Sequence, residues 1–503
     1  IFKINTMKKN YMAKTIGLYS ALMAVLCCFF IACSDKNNDE NKGEYNPELP
    51  VSIARFAPLE GGYEQEMVIY GSNFGIDTTK INVTIGGRKA KLIYAKSDSI
   101  CCLVPYKAES GHYAVQVKVA DKTVLADARF SYVGSLAVRT LIGYRVSNND
   151  PGWKDGKFGT GKDDGSATFG LQAAFMKFDP KNPDHLYVAY EDFDNSGYGI
   201  QLIDLKEKTV TTVLNGETCF GGKRLRAIDF TLKGDMVVAT DRTDDGYKSI
   251  SVWIVKRNND GSFSETSARE VLAAYKQCNT VAIHPTNGEL YFNSYDHNVI
   301  YRMDMDNYYT TTAAGQSWNP LYAGKNFEKI FTIGETYWNF NITIHPSGKY
   351  AYIIVLNKNC IYRMDYDAQT KKFKEPYLVA GQQGIKGWAD GTADGTQMNY
   401  PYQGTFVKNK EYVEQGKEDV YDFYFCDYDN YCVRYLTPEG KVHTFAGRGA
   451  ASYMKDNQYW GSEDGALKEV ARFGNPTGIA YDERTETFYI FDMWFKSVRT
   501  IGK

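Results

Sequence analysis

At 503 residues the chain is too long for one small domain, on a scale of roughly 150 residues per domain. Its near-neutral net charge of −2 argues against a nucleic-acid binder, which needs a basic face. Aromatic residues make up 15% of the chain, with 39 Tyr, and there are 45 Gly. Tyr and Phe suit pleated, half-buried strands and Gly suits tight turns, so an all-β protein with many short strands is expected.

In chain order, the first element is a targeting segment. Met7 is followed by Lys8, Lys9 and Lys14, then by an apolar run from Ile16 to Ala32 that ends at Cys33. A basic n-region, an apolar h-region and a small residue before the cut make a secretory signal. The run is short for a membrane span. Phe30-Ile31-Ala32-Cys33 resembles a bacterial lipobox, which implies lipidation at Cys33 and a signal peptide over residues 1–33. Residues 34–49 begin with the polar, acidic stretch Ser34-Asp35-Lys36-Asn37-Asn38-Asp39-Glu40, which cannot bury apolar area and reads as a flexible tether. An acidic stretch directly after a lipidated cysteine resembles the surface-export signal of Bacteroidota lipoproteins. The expected location is therefore the outer membrane, lipid-anchored and facing the cell exterior. Seven cysteines follow Cys33 without zinc-like spacing. Cys426 and Cys432 flank a hairpin tip and could pair.

Residues 50–134 alternate strand-like runs with turn residues, such as Ile81-Asn82-Val83-Thr84-Ile85 before Gly86-Gly87. The stretches Val51-Ser52-Ile53, Gly71-Ser72-Asn73-Phe74-Gly75, Val104-Pro105 and Phe130-Ser131-Tyr132 resemble an IPT/TIG domain, which implies an immunoglobulin-like sandwich acting as a spacer. Gly71 and Gly75 would allow a sharp bend while Phe74 plugs the sandwich end.

Residues 135–503 repeat themselves six times. Each copy pairs a strand ending in Asp or His with an aromatic-rich strand, as in Val281-Ala282-Ile283-His284-Pro285 with Leu290-Tyr291-Phe292-Asn293. A third strand follows, such as Cys432-Val433-Arg434-Tyr435-Leu436, and a fourth often ends in Ala-Gly. Four strands per unit and six units predict a β-propeller. Asp464-Gly465, Ala471-Arg472-Phe473, Asn475-Pro476-Thr477-Gly478 and Ser497-Val498-Arg499 resemble NHL repeats. The fold class expected is thus all-β: an IPT/TIG sandwich followed by a six-bladed NHL-type propeller. The chain ends after three strands of its last unit, and residues 136–144 match the missing fourth, so that segment is expected to close the ring and remove two open sheet edges.

The blade geometry sorts the tryptophans. Trp153, Trp338, Trp388 and Trp460 lie in loops leading to the next blade. Trp494 lies in a second-to-third-strand loop with Tyr295, Tyr428 and Tyr431. All are expected on one mouth, where aromatic rings could stack on sugar faces. The competing reading packs a ring between blades, most of all for Trp153 and Trp388, each inside a Gly-Trp-x-Asp-Gly turn. Trp318 is expected at the opposite mouth and Trp253 inside a strand.

The motifs Gly-x-Ser-x-Gly and His-Glu-x-x-His do not occur. His284 and His345 share one repeat position before proline and read as turn residues. Asp192, Asp241, Asp296, Asp427 and Asp492 recur at similar blade positions and could line the channel, but repeat-turn chemistry produces the same recurrence. No cofactor or metal is assigned. The leading expectation is a cell-surface lipoprotein that binds polysaccharide or oligosaccharide as an accessory to nutrient uptake, beside an outer-membrane import receptor complex, and is not an enzyme. The alternatives are a lactonase-like, calcium-dependent hydrolase or lyase in the channel, and a protein-binding scaffold.

Overall fold

The computed structural model describes residues 43–503, except 64, 106–110, 135, 146–152, 163, 192–198, 223, 242–249, 322–323, 335–336 and 450–458. Cys33 and the tether up to residue 42 lie outside the described residues, as does Asp192. The chain divides into two compact units, with the main boundary between Phe130 and Ser131.

The first unit is a sandwich. One sheet runs in the order Ser52–Ala57, Glu66–Ser72, Ser99–Leu103, Lys91–Lys96; the other is built on Lys122–Tyr132, Gly111–Val119 and Ile81–Ile85. Ile81, Val83 and Ile85 alternate inward, as a strand with one buried face must. The Gly-Ser-Asn-Phe-Gly turn works as expected. Phe74 is buried, and a Cβ on Gly71 would stand 1.9 Å from the Ser52 carbonyl oxygen and 2.5 Å from the Phe74 ring. Asn73 then ties down the preceding chain, donating to the carbonyls of Asn46 and Leu49 at 2.8 Å each.

The second unit has six antiparallel blades. Their innermost strands are Ala174–Phe178, Leu225–Phe230, Val281–Ile283, Phe340–Ile344, Pro401–Lys408 and Pro476–Asp482, each in contact with the next and the last with the first, so the ring is closed. Ala137–Gly143 is the outer strand of the sixth blade. It pairs antiparallel with Ser497–Gly502 in a register running from Ala137↔Gly502 to Gly143↔Ser497. The glycine at the end of that strand has a reason: Gly143 has φ +98°, and a Cβ there would meet the Lys496 carbonyl oxygen at 2.2 Å.

Short fifth strands at Gly156–Lys157, Gly391–Thr392 and Gly465–Ala466 edge blades one, five and six. Their Asp-Gly turns share one device. Asp155, Asp390 and Asp464 each accept a backbone N–H at 2.8 Å from a threonine of the adjoining strand: Thr212, Thr444 and Thr140. The third blade carries a helix, Met305–Ala313, capped by Asp304, which the strand-only reading of the sequence did not anticipate. Trp318 lies against it, 5.3 Å from the Tyr308 ring, and donates to the Leu272 carbonyl at 2.9 Å.

Cys426 and Cys432 are separate thiols. Register explains why. Cys432 stands opposite Asp427 and Cys426 opposite Val433, so their side chains leave opposite faces of the sheet. Among the described residues, no helix is long and apolar enough to cross a membrane.

Candidate functional site

The innermost strands run from one mouth of the ring to the other. Second-to-third-strand loops and the segments leading into each innermost strand share the first mouth. Tyr295, Tyr337, Tyr400, Tyr402, Tyr428 and Trp494 all stand there by their positions in the blades. Tyr400, Tyr402 and Tyr428 form a triangle with ring centroids 5.9 to 6.4 Å apart, and Tyr295 lies 5.5 Å from Tyr337. Tyr337 and Tyr400 have φ of +67° and +58°, a left-handed backbone costing about 1 kcal/mol or more for a bulky residue. Tertiary hydrogen bonds hold it: Tyr400 N–H donates to Asn359 Oδ1 at 2.8 Å, and Asn357 Nδ2 donates to the Tyr337 carbonyl at 2.9 Å.

Beneath the tyrosines lies a buried ion cluster. Arg226, on the innermost strand of blade two, reaches Asp241 Oδ2 at 2.7 Å and Glu191 Oε1 at 3.2 Å. Arg224 also pairs with Glu191, and Asn279 Nδ2 donates to Asp241 at 3.0 Å. The Tyr402 hydroxyl donates to Glu191, joining blade five to blade one. Burial alone would raise the Glu191 carboxyl, but Arg226 and Arg224 overrule it and hold the group below its ordinary range. Burial, then the Glu191 charge, pushes the Tyr402 phenol well up. At the same mouth, burial raises Asp296, and burial with the Asp427 charge raises Asp429. The arrangement is a cup with hydrogen-bonding groups at its base and aromatic rings on its sides.

The sequence-based candidates divide. Trp460 and Trp494 remain 43% and 36% exposed, with centroids 6.4 Å apart and nearly perpendicular planes. The Arg145 guanidinium stacks 3.8 Å over the Trp494 ring. Tyr431 is half-buried beside Tyr459, at 5.5 Å. Trp338 is a correction: it is 1% exposed, packed near Phe340 and Tyr362 and capped by Gly334, whose Cβ would stand 2.2 Å from the ring. It cannot stack on a ligand. Trp388 is half-buried, donates Nε1–H to Thr444 Oγ1 at 3.2 Å and lies against Gly449. Trp153 packs on the core of blades one and six. Both belong to the Asp-Gly turn device rather than to the open surface.

The recurrent aspartates do not converge. Asp427 pairs with Arg434 at 2.9 Å and Asp492 with Arg499 at 3.3 Å, inside their own blades. Asp241 serves the ion cluster. Among the described residues, no group of three or more His, Cys, Asp or Glu could hold a metal ion. His284 and His345 are turn residues, bonded to Gly348 O and Ser347 Oγ respectively.

Glu191, Arg224, Arg226, Tyr337, Tyr400 and Tyr402 were not singled out from the sequence. A signal existed for three of them. Arg226 interrupts an innermost strand that is apolar but for Asp229, and Tyr400-Pro401-Tyr402 stands where the sixth blade has Asn475-Pro476-Thr477.

Residues 51–132 match the family model of the IPT/TIG domain. A search of curated proteins finds no match. Among solved structures, a Bacteroides thetaiotaomicron VPI-5482 protein provisionally named a phosphatase is 42% identical, with a TM-score of 0.83, over 92% of this chain and 98% of that one. An auxiliary nutrient binding protein from the same strain is 37% identical, with a TM-score of 0.72, over 91% and 99% of the two chains. An auxiliary nutrient binding protein from Bacteroides ovatus ATCC 8483 is 34% identical, with a TM-score of 0.62, over 91% and 99%. With likeness of this degree along nearly the whole of both chains, the protein belongs to the family of Bacteroides IPT/TIG-plus-propeller proteins that these structures represent.

Proposed function

We propose that this protein is a nutrient-binding accessory protein, and that the nutrient is a glycan held at the tyrosine-lined mouth of the propeller. Two relatives at 37% and 34% identity are named auxiliary nutrient binding proteins, which supports the nutrient role. The observation that carries the glycan reading is the pairing of exposed Trp460 and Trp494 with a tyrosine cup over Glu191, Arg224, Arg226 and Asp241. Sugar rings present apolar C–H faces to aromatic side chains and hydroxyls to charged hydrogen-bonding groups. The strained Tyr337 and Tyr400 backbones favour this mouth, because such strain persists where the surroundings enforce a particular arrangement. A lipid anchor at Cys33 would hold the protein at the outer membrane facing outward, close to an import receptor.

Retention of the soluble chain in gels containing a panel of polysaccharides tests the reading. Trp494→Ala removes one stacking surface and is expected to weaken a hit about tenfold, the equivalent of roughly 1.4 kcal/mol. Tyr400→Asn removes the ring and keeps a residue that tolerates the left-handed backbone, as Asn475 does at the matching place. Equal retention of both variants and the unsubstituted chain would overturn the assignment. For the anchor, Cys33→Ala is expected to release the protein from membranes; a variant that stays membrane-bound refutes it.

A further inference from the structure

Near the axis of the propeller Gln403, buried on the innermost strand of blade five, bonds to two further blades. Its Oε1 accepts from Met176 N at 2.8 Å and Ile479 N at 3.1 Å, and its Nε2 donates to the Met176 carbonyl at 2.7 Å. Blades five, six and one are thereby joined by a single side chain. Close approach there depends on Gly478, where a Cβ would come within 2.7 Å of Met176 Cγ. The tyrosine cup lies on one side of this crossbar.

On the other side the axis widens into a cavity of about 560 Å³ that reaches the first-to-second-strand turns of the blades. This lies within the range of small-molecule sites, roughly 300 to 1,000 Å³. Its walls are apolar at Phe178, Phe230, Ile283, Ile344 and Tyr481, and carry hydroxyls at Thr231, Thr343 and Thr405. Three charged side chains line it: Lys177, Lys181 and Asp229. Asp229 is fully engaged by the wall. Its Oδ1 accepts from Phe230 N at 2.9 Å and pairs with Lys177 Nζ at 2.9 Å, while its Oδ2 accepts from Ile283 N at 2.8 Å. Lys177 remains 41% exposed with donors to spare, since an ammonium carries three. Lys181 stands exposed at the rim. The lining thus holds one positive charge in excess, among apolar walls.

We propose that this cavity is a second binding site, separate from the tyrosine mouth, for a small organic anion with an apolar ring-bearing body, its anionic group set toward Lys177 and Lys181. The probe is 1-anilinonaphthalene-8-sulfonate, with neutral N-phenyl-1-naphthylamine as the uncharged counterpart, titrated by fluorescence into the soluble chain. The sulfonate is expected to saturate at one per chain. Thr405→Trp, which fills the cavity, should abolish that binding with the thermal unfolding transition retained. Lys181→Gln, on the exposed rim and harmless to folding, should weaken the sulfonate up to about fivefold, the size of an exposed charge contact, and leave the neutral probe unchanged. Trp494→Ala should alter neither probe, so failure here is distinguishable from failure of the glycan reading. Absence of sulfonate binding, full binding by a folded Thr405→Trp chain, or equal effects of Lys181→Gln on both probes would overturn the proposal.

Discussion

Blades five and six seat an arginine at a position on the third strand where blades two, three and four seat an aromatic ring. The ladder fixes the equivalence: Arg434 stands opposite Phe425 and Arg499 opposite Ile490, while Trp253, Tyr301 and Tyr362 stand opposite Val238, Phe292 and Ile353. Arg434 is fully buried and bonds Asp427, Asp390 and the carbonyls of Gln397 and Ala389. Arg499 repeats the pattern with Asp492, Asp464 and the carbonyls of Arg472 and Glu463. Trp253 instead packs 5.7 Å from Phe220, and Tyr362 6.1 Å from Trp338. Blade one is intermediate: Gln201 accepts from the Tyr190 hydroxyl at 2.6 Å and donates to Asp155 at 3.0 Å.

The difference teaches what the Asp-Gly turn is for. A buried guanidinium needs its charge and its donors satisfied together. The turn supplies a second carboxylate and nearby carbonyls. Where that turn is missing, an arginine would be stranded, and a ring fills the seat chiefly by dispersion and area burial. The burial of Trp338 follows, since it occupies space beside Tyr362 that an Asp-Gly turn takes in blades five and six.

The contrast can be broken at its strongest point. Arg434→Met leaves Asp427 buried without its partner and is expected to cost about 3 to 5 kcal/mol, read by chemical denaturation; a loss below about 1 kcal/mol would show the network to be dispensable. In an aromatic blade, Trp253→Ala should cost roughly 3 kcal/mol through the cavity it leaves, with no new dependence on pH.

The acid side of the network sharpens the comparison further. Burial raises the Asp492 carboxyl to about 6 despite Arg499, against about 4 in an unfolded chain. The folded state therefore holds this proton to higher pH than the unfolded state does. Its contribution favours folding below about pH 4 and is lost as pH rises through about 6. The stability of the unsubstituted chain relative to Asp492→Asn should fall by up to about 3 kcal/mol between pH 4 and 7. A flat or rising difference would contradict the assignment. The smallest effect belongs to the solvent-facing member: Asp390→Asn keeps one of the two acceptor oxygens that Thr444 uses and should cost about 1 kcal/mol in the same denaturation experiment.

The all-β class, the sandwich and the repeat were legible because each rests on local chemistry. Alternating apolar residues fix the strand face, as at Ile81, Val83 and Ile85, and Gly71 and Gly143 mark contacts that admit no side chain. The aromatic mouth was legible in part. Trp494, Trp460, Tyr295 and Tyr428 could be placed from loop position, because blade topology decides which end a loop occupies. Trp338 could not, since its neighbour Tyr362 comes from the next blade's third strand. The same holds for Glu191, Arg226 and Asp241, whose partnership depends on three separated segments meeting.

The amino-acid sequence by itself determined the strands, their grouping in fours, the turn chemistry and the segment that pairs with the C-terminal strand, all properties of residues near one another or of a repeating pattern. Only the tertiary structure decided which rings face solvent, which charges meet, and which side chain ties three blades together near the axis. Gln403 bridges residues 227 and 76 positions away, and no local preference encodes such a contact, because it exists only once the ring has brought distant blades within a hydrogen bond's reach.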